Sequence, residues 1–281
     1  MSQPSTLPPA HSEEINVAFP ANHVLLLTLN RPKSLNAMTP RMTADLERIL
    51  DWFETESQLW VVIVTGAGRI FCAGADLKAW NDDQQRGDTN EQKRIAVDMH
   101  GFGSISRRQS IKPMIAAVVG GAYGGGMEIL LNCDLVIASE GAKFALPEVK
   151  RGVVAVQGGI PRLARIAGHQ LASEMLLLGR TIDAADAKTR FGFVNDVVPA
   201  SKVLPVALAT AAQIIANSPD AVQSTKECLL LAQRHADLQD VVTRHAGSVP
   251  STRVYKGVNI KEGLKAFTEK RTPVWTNPAK L

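Results

Sequence analysis

Cysteine is scarce. Cys72, Cys133 and Cys228 are the only three in 281 residues, with no CxxC pair and no Cys/His ligand spacing. An odd, sparse set of this kind speaks against a disulfide framework and against structural zinc. The six histidines are scattered without an HxxxH pair, so no metal centre is expected. No apolar run reaches the ~18 residues that a bilayer span needs. The longest candidate, residues 114–127, is broken by five glycines, and no membrane partner is expected. A P-loop, a GxSxG nucleophile elbow and an internal repeat are also missing. Gly66-Ala67-Gly68 follows an apolar run, but Phe71 stands where a dinucleotide fingerprint needs its third glycine.

Charge is present but uneven. The net charge is +4, while residues 251–281 hold seven basic and two acidic residues, a local +5 that leaves −1 for the rest. A basic end of this kind suits either a solvated helix or a phosphate-bearing ligand. Its basic residues do not alternate with aromatics, so no nucleic acid is expected. Residues 1–14 are polar and proline-bearing and read as a disordered tail. Glu13 and Glu14 precede the first arginine or lysine, Arg31, which is unlike a transit peptide, and no apolar stretch suggests a secretory signal.

The most informative stretch is residues 113–152. Residues 114–119 form a β-branched apolar run bounded by proline and glycine, the pattern of a buried strand. Glycines follow at 120, 121, 124, 125 and 126, a density that permits close backbone approach or positive φ. Residues 127–133 resume as a helix opening on Glu128, and residues 134–139 as a strand. Glu148 lies 20 residues beyond Glu128. Two carboxylates beside a glycine turn that opens a helix suit acid–base chemistry next to an anion-stabilising backbone. The same residues also fit a plain tight turn with a dipole-paired glutamate, and taken alone they leave both readings open.

Elsewhere, strands are expected at residues 24–30, 60–65 and 195–198. Thr39-Pro40 should cap a helix running to about residue 56, and Asp183 and Ser218-Pro219 should cap others. Residues 81–90 read as a surface loop, residues 91–109 as a helix, and residues 169–178 as a helix. Strands and helices thus alternate over the first ~200 residues and helices alone follow, an α/β chain. Cys72 reads as a reduced, buried thiol rather than a nucleophile.

Several motifs in order resemble the crotonase (enoyl-CoA hydratase/isomerase) superfamily. They are Asn30-Arg31-Pro32-Lys33, Leu35-Asn36-Ala37, Phe71-Cys72-Ala73-Gly74-Ala75-Asp76-Leu77-Lys78, Ala122-Tyr123-Gly124-Gly125-Gly126-Met127-Glu128, Cys133-Asp134, Pro147-Glu148 and Ala266-Phe267-Thr268-Glu269-Lys270-Arg271. The resemblance implies a crotonase (ClpP/crotonase-like) spiral of ββα units over residues 15–200 and a helical trimerisation region over residues 201–281. It implies a homotrimer or a hexamer built as a dimer of trimers. The ligand it implies is an acyl-CoA thioester, with coenzyme A as part of the substrate and no further cofactor. Ala75 and Gly125 would supply the oxyanion-hole amides, worth roughly 3–4 kcal/mol each in comparable sites. Glu128 would activate water and Glu148 would deliver the proton to Cα. Lys33, Lys78, Phe267 and Lys270 would contact the CoA portion, the last two from a neighbouring subunit.

Both glutamates together favour an enoyl-CoA hydratase acting on 2-enoyl thioesters in acyl-CoA degradation. A Δ3,Δ2-enoyl-CoA isomerase using Glu148 alone, a carnitinyl-CoA dehydratase (crotonobetainyl-CoA hydratase) and a non-catalytic binding protein are the alternatives. Ala145-Leu146-Pro147-Glu148 and Glu269-Lys270-Arg271-Thr272-Pro273-Val274-Trp275 resemble the carnitinyl branch, and Val153-Val154-Ala155-Val156-Gln157 departs from the usual hydratase run. The closing Ala279-Lys280-Leu281 resembles an SKL-type peroxisomal address. A peroxisomal location is therefore expected if the source is eukaryotic, and a cytoplasmic one otherwise.

Overall fold

The apolar runs fold as strands of one central sheet. The computed structural model describes residues 4–77, 80–81, 85–87 and 90–279. Strands β1 (Ile15–Ala18), β2 (Val24–Leu29), β3 (Val61–Gly66), β4 (Met114–Val118), β6 (Leu135–Ser139) and β9 (Asp196–Val198) lie side by side in that order. Only the β1–β2 ladder is antiparallel. Parallel neighbours require crossovers, and helices on both faces make the strands apolar throughout rather than alternating. Strand β3 shows why. Val62 and Val64 face α1 (Pro40–Thr55) and pack with Leu46, Ile49, Leu50 and Phe53. Val61 and Ile63 face the other way, onto Val203, Ala207 and Ala211 of the later helix α7 (Val203–Ile215).

A second sheet joins β5 (Gly121–Tyr123), β7 (Lys143–Ala145) and β8 (Thr181–Asp183), with β5 and β7 parallel. Helices before α7 include α2 (Glu91–Val97), α3 (Gly125–Leu131), α4 (Gly159–Ala167), α5 (His169–Leu177) and α6 (Ala184–Thr189). After α7 come α8 (Pro219–Arg234), α9 (Leu238–Ala246), α10 (Val249–Lys256) and α11 (Asn259–Thr268), with no strand among the described residues. Lys226 of α8 ties this helical region to the sheet. Its Nζ lies 2.7 Å from Asp134 Oδ2 and donates to the Lys112 carbonyl at 2.7 Å. Among the described residues no single helix is long and apolar enough to cross a membrane.

The caps form as the sequence indicates. Thr39 Oγ1 accepts from Met42 N at 3.0 Å, and Asp183 and Ser218 cap α6 and α8 through Asp186 N and Ala221 N. Three expectations change. The helix expected over residues 91–109 ends at Val97, because Gly101 (φ 68°), Gly103 (φ 60°) and Ser104 (φ 55°) take left-handed backbone that no helix continues through. The start of the chain, expected as a disordered tail, is hydrogen-bonded against α1 from Ser5 onward. Ser5 Oγ donates to both Glu56 oxygens at 2.7 and 2.8 Å, and Ser12 donates from its amide and hydroxyl to Asp45 at 2.9 and 2.5 Å. Serine and threonine donors make an acidic helix edge a binding strip for a polar segment, which composition alone does not reveal. Of the stretch expected as a loop, residues 82–84, 88 and 89 lie outside the described residues, and Asn81 and Gln85 are helical. Lys280 and Leu281 of the closing tripeptide also lie outside them.

Glycine is required where backbones touch. Gly120 has φ 69°, and a Cβ there would sit 1.9 Å from the Arg69 carbonyl oxygen. Gly152 has φ 71° but open space around it. Gly120→Ala should therefore lose at least about 2 kcal/mol of stability, and Gly152→Ala only about 1 kcal/mol. Urea unfolding of the two variants checks this, and equal losses would show that the close approach at Gly120 carries no cost.

Candidate active site

Two short bridges bring the glycine turns together. Cys72 pairs with Ala122, and Met38 pairs with Ala75. Ala75 and Gly125 each lie three residues beyond the paired Cys72 and Ala122. The Met38 bridge uses the Gly74 carbonyl, which accepts Met38 N at 2.8 Å, and the Asp76 amide, which donates to the Met38 carbonyl at 3.2 Å. Parallel pairing of this kind uses the two flanking residues and leaves the central residue's own N–H turned away from the ladder. That residue is Ala75. Gly125 is the first residue of α3, where no intrahelical acceptor exists for its amide. Neither amide has a hydrogen-bond partner among the described residues, and both residues line the same cavity.

Only glycine allows this packing. A Cβ on Gly74 would lie 2.8 Å from the Tyr123 carbonyl oxygen and 3.2 Å from Gly125 N. One on Gly126 would lie 2.5 Å from the Cys72 carbonyl oxygen, and one on Gly125 would enter the Phe102 ring at 2.4 Å. Cys72 is an inert part of this wall, since burial pushes its thiol up to about 12.

The same turn gathers the two carboxylates. Tyr123 is in register with Ala145, and Gly124 N donates to the Ala145 carbonyl at 3.0 Å. Three residues after Ala145, Glu148 opens a 3-10 turn, Glu148–Arg151. Its Oε1 lies 3.1 Å from where a Gly124 Cβ would be, so the carboxyl rests on the glycine turn. Its Oε2 is buried without a partner among the described residues. Burial raises the Glu148 pKa from its ordinary value, while its own backbone amide and Arg151 oppose this. Glu128 sits in the first turn of α3 and is 3% exposed. Its Oε1 accepts Gly159 N at 2.9 Å. Burial, together with the charge of Glu148, pushes Glu128 up to about 7, while backbone donors at Gly159 and Gln157 pull it down. Two carboxyls so placed favour sharing one proton, which leaves one base and one acid.

The cavity measures about 610 Å³. Ala75, Gly125 and Glu148 line it together with Tyr123, Trp80, Arg69, Arg151 and Val153. Glu128 is adjacent through the helix but does not line it. Lys33 is exposed and lines a separate groove of about 410 Å³ beside Glu14 and Arg31. Lys78 lies outside the described residues. Phe267, 83% exposed on α11, and Lys270 do not line the cavity within one chain. Sequence reasoning did not single out Trp80, whose Nε1 is buried without a partner among the described residues, or Gly159, the donor to Glu128. The Gly158-Gly159 pair before a helix was the available signal for the second, and an isolated tryptophan gave none for the first. Among the described residues no group of three or more His, Cys, Asp and Glu is placed to hold a metal ion.

The chain is similar to known proteins over nearly its whole length. The profile of the Enoyl-CoA hydratase/isomerase family matches residues 20–278. Mevalonyl-coenzyme A hydratase of Aspergillus fumigatus is 44% identical over 265 residues, covering 94% of this chain and 95% of that protein. The 2,3-dehydroadipyl-CoA hydratase of Escherichia coli is 36% identical, covering 89% of this chain and 94% of that protein. The crystal structure of enoyl-CoA hydratase from Mycobacterium tuberculosis H37Rv superposes with a TM-score of 0.83 at 35% identity, covering 94% of this chain and 99% of that one.

Glu148→Gln should lower turnover of an enoyl thioester about 10²–10⁴-fold with folding intact, and steady-state kinetics on the folded variant checks it. Glu128 also carries a stability signature. A carboxyl whose folded pKa of about 7 exceeds its unfolded value binds more protons when folded, so stability falls as pH rises from about 4.5 to 7. Glu128→Gln should remove that slope and be more stable than the parent at pH 8, on the order of 1–3 kcal/mol. Urea unfolding at pH 5 and pH 8 reads the difference, and an unchanged slope would place the titration on another group.

Proposed function

Since the chain belongs to the enoyl-CoA hydratase/isomerase family, we propose that it adds water across the 2,3 double bond of a 2-enoyl-CoA thioester and runs the reverse dehydration. One observation carries this reading. Two carboxyls, Glu128 buried and Glu148 half-buried, flank a turn whose amides, Ala75 and Gly125, are free among the described residues and line the same cavity as Glu148. The thioester oxygen accepts a hydrogen bond from each amide, and the two donors stabilise the enolate as charge develops on it. The pair shares one proton, and it reacts in the state with that proton on Glu148: Glu128 then removes a proton from water while the water oxygen bonds to Cβ. Protonated Glu148 gives its proton to Cα. Exchange with solvent then returns the pair to its starting state. Atoms and charge balance with no redox partner.

We further infer an acyl chain that is short and bears oxygen. The 44%-identical relatives from Aspergillus fumigatus and Beauveria bassiana are named mevalonyl-CoA hydratases, and a mevalonyl chain carries a second hydroxyl beyond Cβ. Trp80 and Arg151 give the cavity hydrogen-bond donors suited to such an acceptor. Arg69 and Arg151 in the lining disfavour the quaternary ammonium of a carnitinyl chain. The exposed apolar residues Tyr255, Leu264 and Phe267 on α10 and α11 support an assembly of identical chains that covers them.

Loss of enone absorbance with crotonyl-CoA tests the reaction class, and the 3-methyl-5-hydroxy-2-enoyl thioester tests the chain. Hydration of both, with the second preferred in kcat/KM, is expected. Hydration of neither by folded protein would overturn the proposal. The rate should pass through a maximum with pH, falling on the alkaline side above about 7 as the pair loses its shared proton and on the acid side as it takes up a second.

A further inference from the structure

Arg31 belongs to a sequence motif for which the reaction itself has no use. Its guanidinium is nevertheless held from three sides. Nε lies 3.2 Å from Glu14 Oε1. Nη1 donates to the Ala37 carbonyl at 2.5 Å, and Nη1 and Nη2 both donate to Asp76 Oδ2 at 3.2 Å. Glu14 is itself fixed, because Thr39 Oγ1 donates to its Oε2 at 2.7 Å and Thr39 caps α1. Ala37 and Asp76 are the chain neighbours of Met38 and Ala75, the two residues of the bridge that turns the Ala75 amide toward the cavity. One planar cation thus spans the bridge and clasps both strands one residue from the paired positions.

The loop carrying Arg31 is shaped for this task. Leu35 (φ 53°) and Asn36 (φ 54°) both take left-handed backbone. Asn36 is fully buried, and its Nδ2 donates to the Ala67 and Ile70 carbonyls at 2.9 and 2.8 Å. Its Oδ1 accepts Arg31 N at 2.9 Å. The Gly125 amide is held by other means, namely the start of α3 and the Gly124–Ala145 hydrogen bond.

We propose that Arg31 is a positioning residue for the oxyanion donor at Ala75, acting through Asp76 and the Ala37 carbonyl. A bridge of two backbone hydrogen bonds is free to tilt, and a guanidinium fork pinned by Glu14 removes that freedom. Lysine offers one point charge in place of the fork and cannot satisfy all three partners. The proposal rests on the hydratase reading above, in which the Ala75 amide binds the thioester oxygen.

The test combines kinetics with a spectroscopic readout. Arg31→Ala should lower kcat by roughly 10–50-fold, less than the 10²–10³-fold of a donor lost outright, with KM changed less than about threefold because uniform binding is untouched. Asp76→Ala should match it, and the double variant should be no worse than either single one. Arg31→Lys should fall between parent and Arg31→Ala, and added guanidinium ion should restore part of the Arg31→Ala rate. A bound cinnamoyl-type CoA thioester, whose absorbance shifts red as its carbonyl is polarised, should shift less in each variant. If Arg31→Ala does not fold, Asp76→Ala and Arg31→Lys carry the same comparison. Unchanged kcat, or a lowered kcat with the full red shift, would overturn the proposal. Failure of the parent protein to hydrate enoyl thioesters would instead defeat the hydratase reading, and the red shift of parent against variants would still judge Arg31.

Discussion

The close approach of two backbone segments, residues 72–76 and 122–126, is the constraint on which the site depends. Hydrogen bonds alone do not bring strands this near. Gly74 and Gly126 do, because a side chain at either would occupy space already filled by the opposite backbone. From that contact follow the two free amides, the seating of Glu148 on Gly124, and the burial of Glu128 in the turn after it. The sheet serves the contact. Its parallel strands deliver residues 66–76 and 119–126 from neighbouring positions, β3 and β4, so the loops that leave them meet.

Placing two carboxyls there works against the folded state. Burial disfavours ionising either one, and the charge of Glu148 disfavours ionising Glu128 further. A site whose groups are held away from their preferred charge is a common signature of catalysis. Buried Lys226, by contrast, is paired with Asp134.

Much of this was legible in the sequence. The β-branched runs announced β3, β4 and β6, and Thr39-Pro40 announced α1, because strand burial and capping are local physics. The glycine cluster with Glu128 and Glu148 pointed to acid–base chemistry or a plain turn, and the resemblance added Ala75 and Gly125 to the residues that the structure places around one turn. What stayed hidden is non-local. The left-handed Ser104 that ends the expected helix, the seating of Ser5 and Ser12 on the acidic edge of α1, and the span of Arg31 from Glu14 to Asp76 each depend on residues far apart in the chain. No periodicity records them. Phe267 on α11 and Lys270 just beyond its end stand exposed, clear of the cavity within one chain.

The central claim is that the amides of Ala75 and Gly125 jointly bind the thioester oxygen. Isotope-edited infrared spectroscopy tests it most directly, using a ¹³C-labelled enoyl-CoA carbonyl bound to the slow Glu148→Gln variant. Two fixed donors in a dry site should move the carbonyl stretch clearly below its value in water. A bound carbonyl that absorbs at its aqueous frequency would contradict the account, because the two amides would then be free for some other purpose.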